Sequence, residues 1–215
     1  MAEVGNVAAV VLAAGRSTRM GANKLLADLG GKPMVRLVVE AALGSAASPV
    51  LVVTGHQHGE TRRALTGLNV VFVHNPDYAQ GLSTSLKAGI GAVPLEAAGA
   101  LVLLGDMPQI AAAHLDLLIV AFRDLGGAIV VPTHAGNRGN PVLWPRACFG
   151  EMLRLQGDAG AKRLLAAHAS RVHEVELGTD AIFLDVDTVE VLAQVRAGET
   201  PRTQAPLQRD GSGET

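Results

Sequence analysis

Short apolar runs recur at residues 7–13, 50–54, 70–74, 100–104, 128–131, 172–176 and 181–184, with amphipathic segments between them. This alternation constrains the fold more than any other feature of the chain. The runs read as strands. Between them, apolar residues at helical spacing predict helices over 33–44, 83–90, 114–125, 160–168 and 188–196. Pro33 falls in the first turn of the first helix, Ser83 caps the second, and Gly126 and Gly127 end the third. Such a succession predicts an α/β protein with a mostly parallel sheet, right-handed crossovers and helices on both faces. Composition agrees: 48% of the residues are hydrophobic but only 3% aromatic, so the core is built from Val, Leu, Ile and Ala. Strands of that kind suit a sheet buried on both sides. At 215 residues one domain is expected, over 1–196, followed by a Pro-, Gly- and polar-rich tail over 197–215 that reads as disordered and dispensable. The stretch 132–141, with its "HAGNRGNP", reads as a long irregular loop.

A formal net charge of −2 gives no global attraction to nucleic acid or anionic lipid, so any cationic site has to be a local cluster. Cys148 is the only cysteine, which excludes an internal disulfide and a multi-cysteine zinc site. Beside Phe149 it reads as a buried thiol rather than a nucleophile. No apolar run approaches the ~20 residues of a membrane span, and the N-terminus has no secretory pattern. The expectation is a cytoplasmic protein without nucleic-acid or membrane partners. His56 and His58 in "TGHQHGE" read as solvated side chains, and Trp144, the single indole, as a packing anchor.

One local cationic cluster follows the first strand, in "LAAGRSTRMGANK" over 12–24. The segment matches neither GxxxxGK[ST] nor GxGxxG, which removes the main support for a P-loop kinase or a Rossmann dehydrogenase. The physics of those loops is nevertheless present. Gly15 and Gly21 leave backbone N–H groups free to face an anion, and Arg16, Arg19 and Lys24 supply charge. A triphosphate suits that set, because arginine holds phosphate oxygens in pairs and lysine acts as a point charge. In open α/β sheets, ligands bind outside the carboxyl ends of the strands, where this loop lies. Asp106, in "LVLLGDMP", ends another buried strand at the same edge. It is either a turn aspartate bonded to its own backbone or, beside a triphosphate, a ligand for Mg²⁺. Asp185 and Asp187 in "FLDVDT" share one side if the strand over 181–184 persists, and offer a second carboxylate; as alternatives, each caps a helix start.

These segments together resemble the MobA-like nucleotidyltransferase family, and most of all its molybdenum cofactor cytidylyltransferase branch. The likeness rests on "LAAGRSTRMGANK", "GDMP" over 105–108, "GNRGNPVLW" over 136–144, "GDAGAKRLL" over 157–165 and "DVDT" over 185–188. It covers roughly residues 7–195. The resemblance implies a single-domain Rossmann-like nucleotidyltransferase fold and transfer of CMP from CTP to molybdopterin, with release of pyrophosphate. It implies catalytic roles for Arg19, Lys24 and Asp106, and Mg²⁺ held by Asp106 and Asp187. Nucleotide contacts fall on Leu12, Ala13, Ala14, Gly15, Arg16, Lys24, Asn75, Gly81, Ser83 and Asp106, and acceptor contacts on Arg138 and Asn140. The partners implied are an NTP, a phosphorylated pterin, and a molybdoenzyme or its maturation chaperone. Ala14 stands where the guanylyl branch has glycine, and a methyl group there favours a smaller base. After "DVDT" many relatives continue with Pro-Glu-Asp, whereas here Val189 and Glu190 follow. Rival readings are transfer from another NTP or to another phosphorylated acceptor, and an oxidoreductase or noncatalytic nucleotide-binding chaperone on the same scaffold.

Overall fold

A computed structural model describes residues 5–16, 23–157 and 161–199. Arg19 and Gly21 of the cationic loop, Gly160 and the tail beyond 199 lie outside the described residues. The strands are β1 (Val7–Ala13), β2 (Asp28–Leu29), β3 (Lys32–Pro33), β4 (Val50–Thr54), β5 (Val71–His74), β6 (Gly99–Leu104), β7 (Ile129–His134), β8 (Asn137–Arg138), β9 (Val142–Pro145) and β10 (Val172–Glu176). The helices are α1 (Met34–Leu43), α2 (His58–Ala64), α3 (Leu82–Gly91), α4 (Ala112–Asp124), α5 (Phe149–Met152), α6 (Lys162–Ala167) and α7 (Val189–Arg196). The main sheet runs β10-β7-β9-β6-β1-β4-β5, with β8 paired to β7. All its strands are parallel except β8 and β9. The expected mostly parallel sheet with helices on both faces is therefore present.

Every residue of β1 is buried, because the strand feeds two cores at once. Val7, Ala9, Val11 and Ala13 join one cluster with Val35, Val38, Val39 and Ala42 of α1 and Leu115, Leu118, Ile119 and Phe122 of α4. Ala8, Val10 and Leu12 join the other, with Leu86 and Ile90 of α3, Phe149 and Met152 of α5, and Leu164 and Leu165 of α6. The two-residue alternation of the strand thus meets helix stripes spaced i, i+3, i+4, i+7 on either side. Trp144, 1% exposed, packs in the second cluster as a core anchor, and Cys148 is buried beside it. No described helix is long and apolar enough to cross a membrane.

Three expectations need correction, and one strand was not expected. Ser83 does not cap α3, which starts at Leu82 with Gly81 as its N-cap. Residues 181–184 do not form a strand: Asp180–Ile182 is a 3-10 turn, and the chain then runs in irregular backbone to Thr188. With "AIFL" supplying Ile182 and Leu184 to the core, the apolar run marks burial rather than pairing. The stretch 132–141 is not an irregular loop either, since β7 continues through it to His134 and turns back into β8 with Thr133 opposite Arg138. Ala135 and Gly136, both at positive φ, make the two-residue turn of a twisted hairpin. Finally, β9 was read only as part of a motif; it inserts antiparallel between β6 and β7 with Trp144 opposite Ala100.

The chain leaves β1 to build β4 and β5 on one side, and later returns to build β6, β9, β7 and β10 on the other. The carboxyl end of β1 is therefore the topological switch point, where open α/β sheets leave a crevice. The loop carrying Gly15, Arg16 and Lys24 begins there.

Candidate active site

At that crevice a cavity of ≈ 450 Å³ opens. Leu12, Ala14, Gly15, Arg16, Lys24, Gly81 and Asp106, all expected near a nucleotide, line it together with Leu25, Tyr78, Ala79, Gln80, Leu82, Ser85 and Leu104. Ala13 does not, because strand alternation turns its side chain into the α1–α4 core. Gly105 N–H donates to the Leu12 carbonyl at 3.0 Å, which brings the end of β6, and hence Asp106, level with the end of β1.

Lys24 is the cation at the centre of the charged end. Its Nζ lies 2.6 Å from Asp106 Oδ2 and also donates to Asp187 Oδ1, 163 positions along the chain from the lysine, so acids from two distant segments meet on one ammonium. Their backbones are fixed independently of that contact. Asn23 Oδ1 accepts from Leu25 N–H and holds the 3-10 turn Lys24–Leu26, with Leu25 buried. Val186 N–H donates to the Asp106 carbonyl at 3.0 Å, and the Val186 side chain sits in a third apolar cluster with Leu29, Met34 and Leu192. Thr188 Oγ1 accepts from Val191 N–H and caps α7, so Asp187 does not serve as the cap.

Burial disfavours the Lys24 charge, but the carboxylates of Asp106 and then Asp187 more than offset it, and its pKa stands above the ordinary lysine value. Asp185 is pushed the other way for a carboxylate: burial, then the charges of Asp187 and Asp106, raise its pKa. Two of these acids, Asp106 and Asp187, thus converge on the Lys24 ammonium, and Asp185 feels their charge. The alternative of Asp106 as a turn residue fails, since Oδ2 faces Lys24 and Oδ1 is buried with no hydrogen-bond partner. An orphaned carboxylate oxygen at the edge of an anion-ready cavity fits a divalent cation, which binds through one or two carboxylates plus phosphate oxygens. Asp106 and Asp187 are the residues that would hold it. The described residues contain no cluster of three or more ligating side chains already closed around a point.

Other expected site residues are engaged elsewhere. Asn75, 3% exposed, donates to Thr84 Oγ1 at 2.9 Å and Ser85 Oγ at 3.0 Å and accepts from Asp77 N–H, so it braces the turn that precedes α3. Ser83 is buried and donates its N–H to the Gly157 carbonyl; Ser85, one helical face along, reaches the cavity instead. Arg138 Nε donates to Glu174 Oε1 at 2.8 Å, and Asn140 N–H donates to the Ile182 carbonyl. Neither lines the cavity. Arg19 lies outside the described residues.

Tyr78 and Gly55 are the site features that sequence reasoning missed. Arg16 lies over the Tyr78 ring, 5.5 Å from its centroid. Gly55, directly after β4, permits this wall: a Cβ there would stand 2.6 Å from Tyr78 Cβ and 2.9 Å from Ala14 Cβ. His56 N–H also donates to the Ala14 carbonyl. The signal available in the sequence was a glycine ending a buried strand, a position that often marks close backbone approach.

A doubly wound sheet with a cationic loop and convergent carboxylates at its switch point defines a nucleotide-binding α/β protein. More specifically, residues 9–172 match the MobA-like NTP transferase domain, and the chain belongs to that family. It is 30% identical to the molybdenum cofactor cytidylyltransferase of Escherichia coli over 83% of this chain and 90% of that one. It is 31% identical to the purine catabolism protein PucB of Bacillus subtilis, over 87% and 94%. Among solved structures it resembles Rv0371c of Mycobacterium tuberculosis in complex with manganese, at 27% identity, 90% and 99% coverage and a TM-score of 0.75.

Because the Gly55 methyl-sized gap is filled by two cavity walls, Gly55→Ala is expected to push Tyr78 and Ala14 into the cavity. Overpacking of this kind costs about 1–3 kcal/mol, so nucleotide affinity should fall about tenfold. Calorimetric titration of the variant with nucleoside triphosphates checks it; an unchanged Kd would show that the walls yield outward.

Proposed function

We propose that the protein transfers CMP from CTP to the phosphate of molybdopterin, releasing pyrophosphate, with Mg²⁺ as cofactor. The observation that carries the reading is the meeting of Lys24, Asp106 and Asp187 at the mouth of a cavity that Gly15 and Arg16 also line. The likeness to the Escherichia coli cytidylyltransferase supports the choice of CTP and pterin. Ala14, which lines the cavity, supports a pyrimidine over a purine by size.

In this reading Gly15 N–H and Arg16 hold the triphosphate, Lys24 takes up charge on the leaving pyrophosphate, and Asp106 and Asp187 hold the metal. When bound, Mg²⁺ supplies charge neutralisation between the nucleotide and a second phosphate. An acceptor phosphate oxygen attacks the α-phosphorus in line; the new P–O bond forms as the bond to the β-phosphate breaks. No general base is required, because a phosphate monoester is already a dianion near neutral pH, with a second pKa of about 6. Positioning and electrostatics carry the rate. Arg19 is assigned to the same phosphates from the family motif.

Pyrophosphate release, measured with each of the four NTPs with and without molybdopterin, tests this. Release with CTP only when the pterin is present is expected. The similarity to PucB, a purine catabolism protein, favours one second reading, in which the acceptor or nucleotide differs. Release with another NTP, or without dependence on the pterin, would select it.

A further inference from the structure

We propose that Lys24 is the resident cation of the Asp106–Asp187 pair, occupying the position of the divalent metal until the metal displaces it and frees its ammonium for the triphosphate. Its last step rests on the nucleotidyl-transfer reading; its first does not.

Three observations carry it. Nζ bridges the two carboxylates, 2.6 Å from Asp106 Oδ2 and in contact with Asp187 Oδ1. A metal ion bound to those same oxygens at about 2.0–2.2 Å would overlap the ammonium, so the two cations exclude each other. Next, the three backbones are pinned by contacts other than the ion pairs. The Asn23 cap and buried Leu25 hold Lys24, the Gly105-to-Leu12 hydrogen bond holds the Asp106 turn, and Val186 in its apolar cluster holds Asp187. What can move at low cost is the flexible four-carbon stem of the lysine. Lastly, Asp106 retains a buried Oδ1 with no hydrogen-bond partner. A divalent ion held by that carboxylate satisfies it better than an ammonium already engaged with Oδ2. Lys24 itself lines the cavity with Gly15 and Arg16, so the displaced ammonium has a phosphate-side destination within its own reach.

The consequence is a built-in coupling. Without nucleotide, lysine competes with metal; a triphosphate that attracts the lysine removes the competitor, and by linkage metal must favour triphosphate to the same extent.

Manganese titration of the nucleotide-free protein, followed by the electron paramagnetic resonance signal of free Mn²⁺, reads the competition directly. Lys24→Met and Lys24→Gln should each bind Mn²⁺ at least about tenfold more tightly than the unsubstituted protein, equivalent to about 1.4 kcal/mol. Lys24→Arg, which keeps a cation on the pair, should not. Adding Asp187→Asn to Lys24→Met should erase the gain. Because Asp106 and Asp187, both only part-exposed, lose the Lys24 ammonium, the Met and Gln variants should melt lower without metal and recover with Mn²⁺. Equal or weaker Mn²⁺ affinity in both variants, or melting insensitive to Mn²⁺, overturns the proposal. Pyrophosphate release by the unsubstituted protein is decided separately. The exchange can fail while transfer is observed, and transfer can fail while the exchange is observed.

Discussion

Asp106→Asn is expected to lower kcat/KM for nucleotidyl transfer by about a thousandfold while leaving the melting temperature within a few degrees. The size follows from what the substitution removes. Losing a single preorganised group that meets developing charge typically costs about 10²–10³ in rate, and in the proposed reading the lost charge would also hold the metal. The fold is insulated because the structural work of this residue is done by its backbone, whose carbonyl accepts from Val186 N–H at 3.0 Å. The side chain makes one ion pair, to Lys24, and Lys24 keeps Asp187 after the change. Asparagine preserves shape, so neither a cavity nor a clash arises. Pyrophosphate release and thermal melting on the same preparation check the two halves. Undiminished turnover would remove Asp106 from the chemistry, whereas a collapsed melting temperature would mean that its charge is structural.

The Asp106 reading was open to sequence because a buried apolar run with a terminal Gly-Asp determines both depth and edge: the strand aims the carboxylate at the rim where parallel strands end. Lys24 was open for the same reason, being tied to β1 by a short loop. The expected sharing of a side by Asp185 and Asp187 failed as an argument although Asp187 reached the site. Alternation presumes a strand, and residues 181–184 bury apolar side chains from a 3-10 turn instead. A short apolar run specifies burial, not conformation, so only the tertiary contact of Val186 with Asp106 could decide it. Strand β9 escaped for a related reason. "VLWP" is too short to stand out, and it is its register against β6, with Leu143 opposite Leu101, that makes it a strand. Asn75 and Ser83 belong to the segment that forms the cavity wall but do not line the cavity themselves, because which side chains of a turn face inward depends on its local hydrogen bonds. Here Asn75 is consumed by Thr84 and Ser85, and Tyr78 faces the cavity instead.

Gly139→Ala is expected to damage the site from a distance. Gly139 borders no part of the cavity, yet a Cβ there would lie 2.5 Å from the Ile182 carbonyl oxygen, 2.7 Å from its Cγ1 and 2.8 Å from its Cβ. Ile182 is wholly buried and cannot retreat, and its carbonyl accepts from Asn140 N–H at 2.9 Å. The added methyl must therefore displace the segment that runs from Ile182 through Leu184 and Val186 to Asp187. Overpacking of this kind costs about 1–3 kcal/mol of stability. A shift of about 1 Å at a positioned group can cost about 10²-fold in rate, so kcat/KM should fall between about tenfold and a hundredfold. Gly136→Ala separates this route from simple damage to the hairpin. Gly136 turns the same β7–β8 hairpin at φ 77°, with nothing within 4 Å of an added Cβ, so alanine there meets backbone strain but not Ile182. That strain is worth roughly 1–2 kcal/mol, and the variant should melt lower while transferring normally. If both variants lose stability and neither loses kcat/KM, Asp187 is held in place without help from the hairpin. If only Gly139→Ala loses it, the glycine explains why the end of the hairpin and the acidic segment, distant in the chain, have to fit each other.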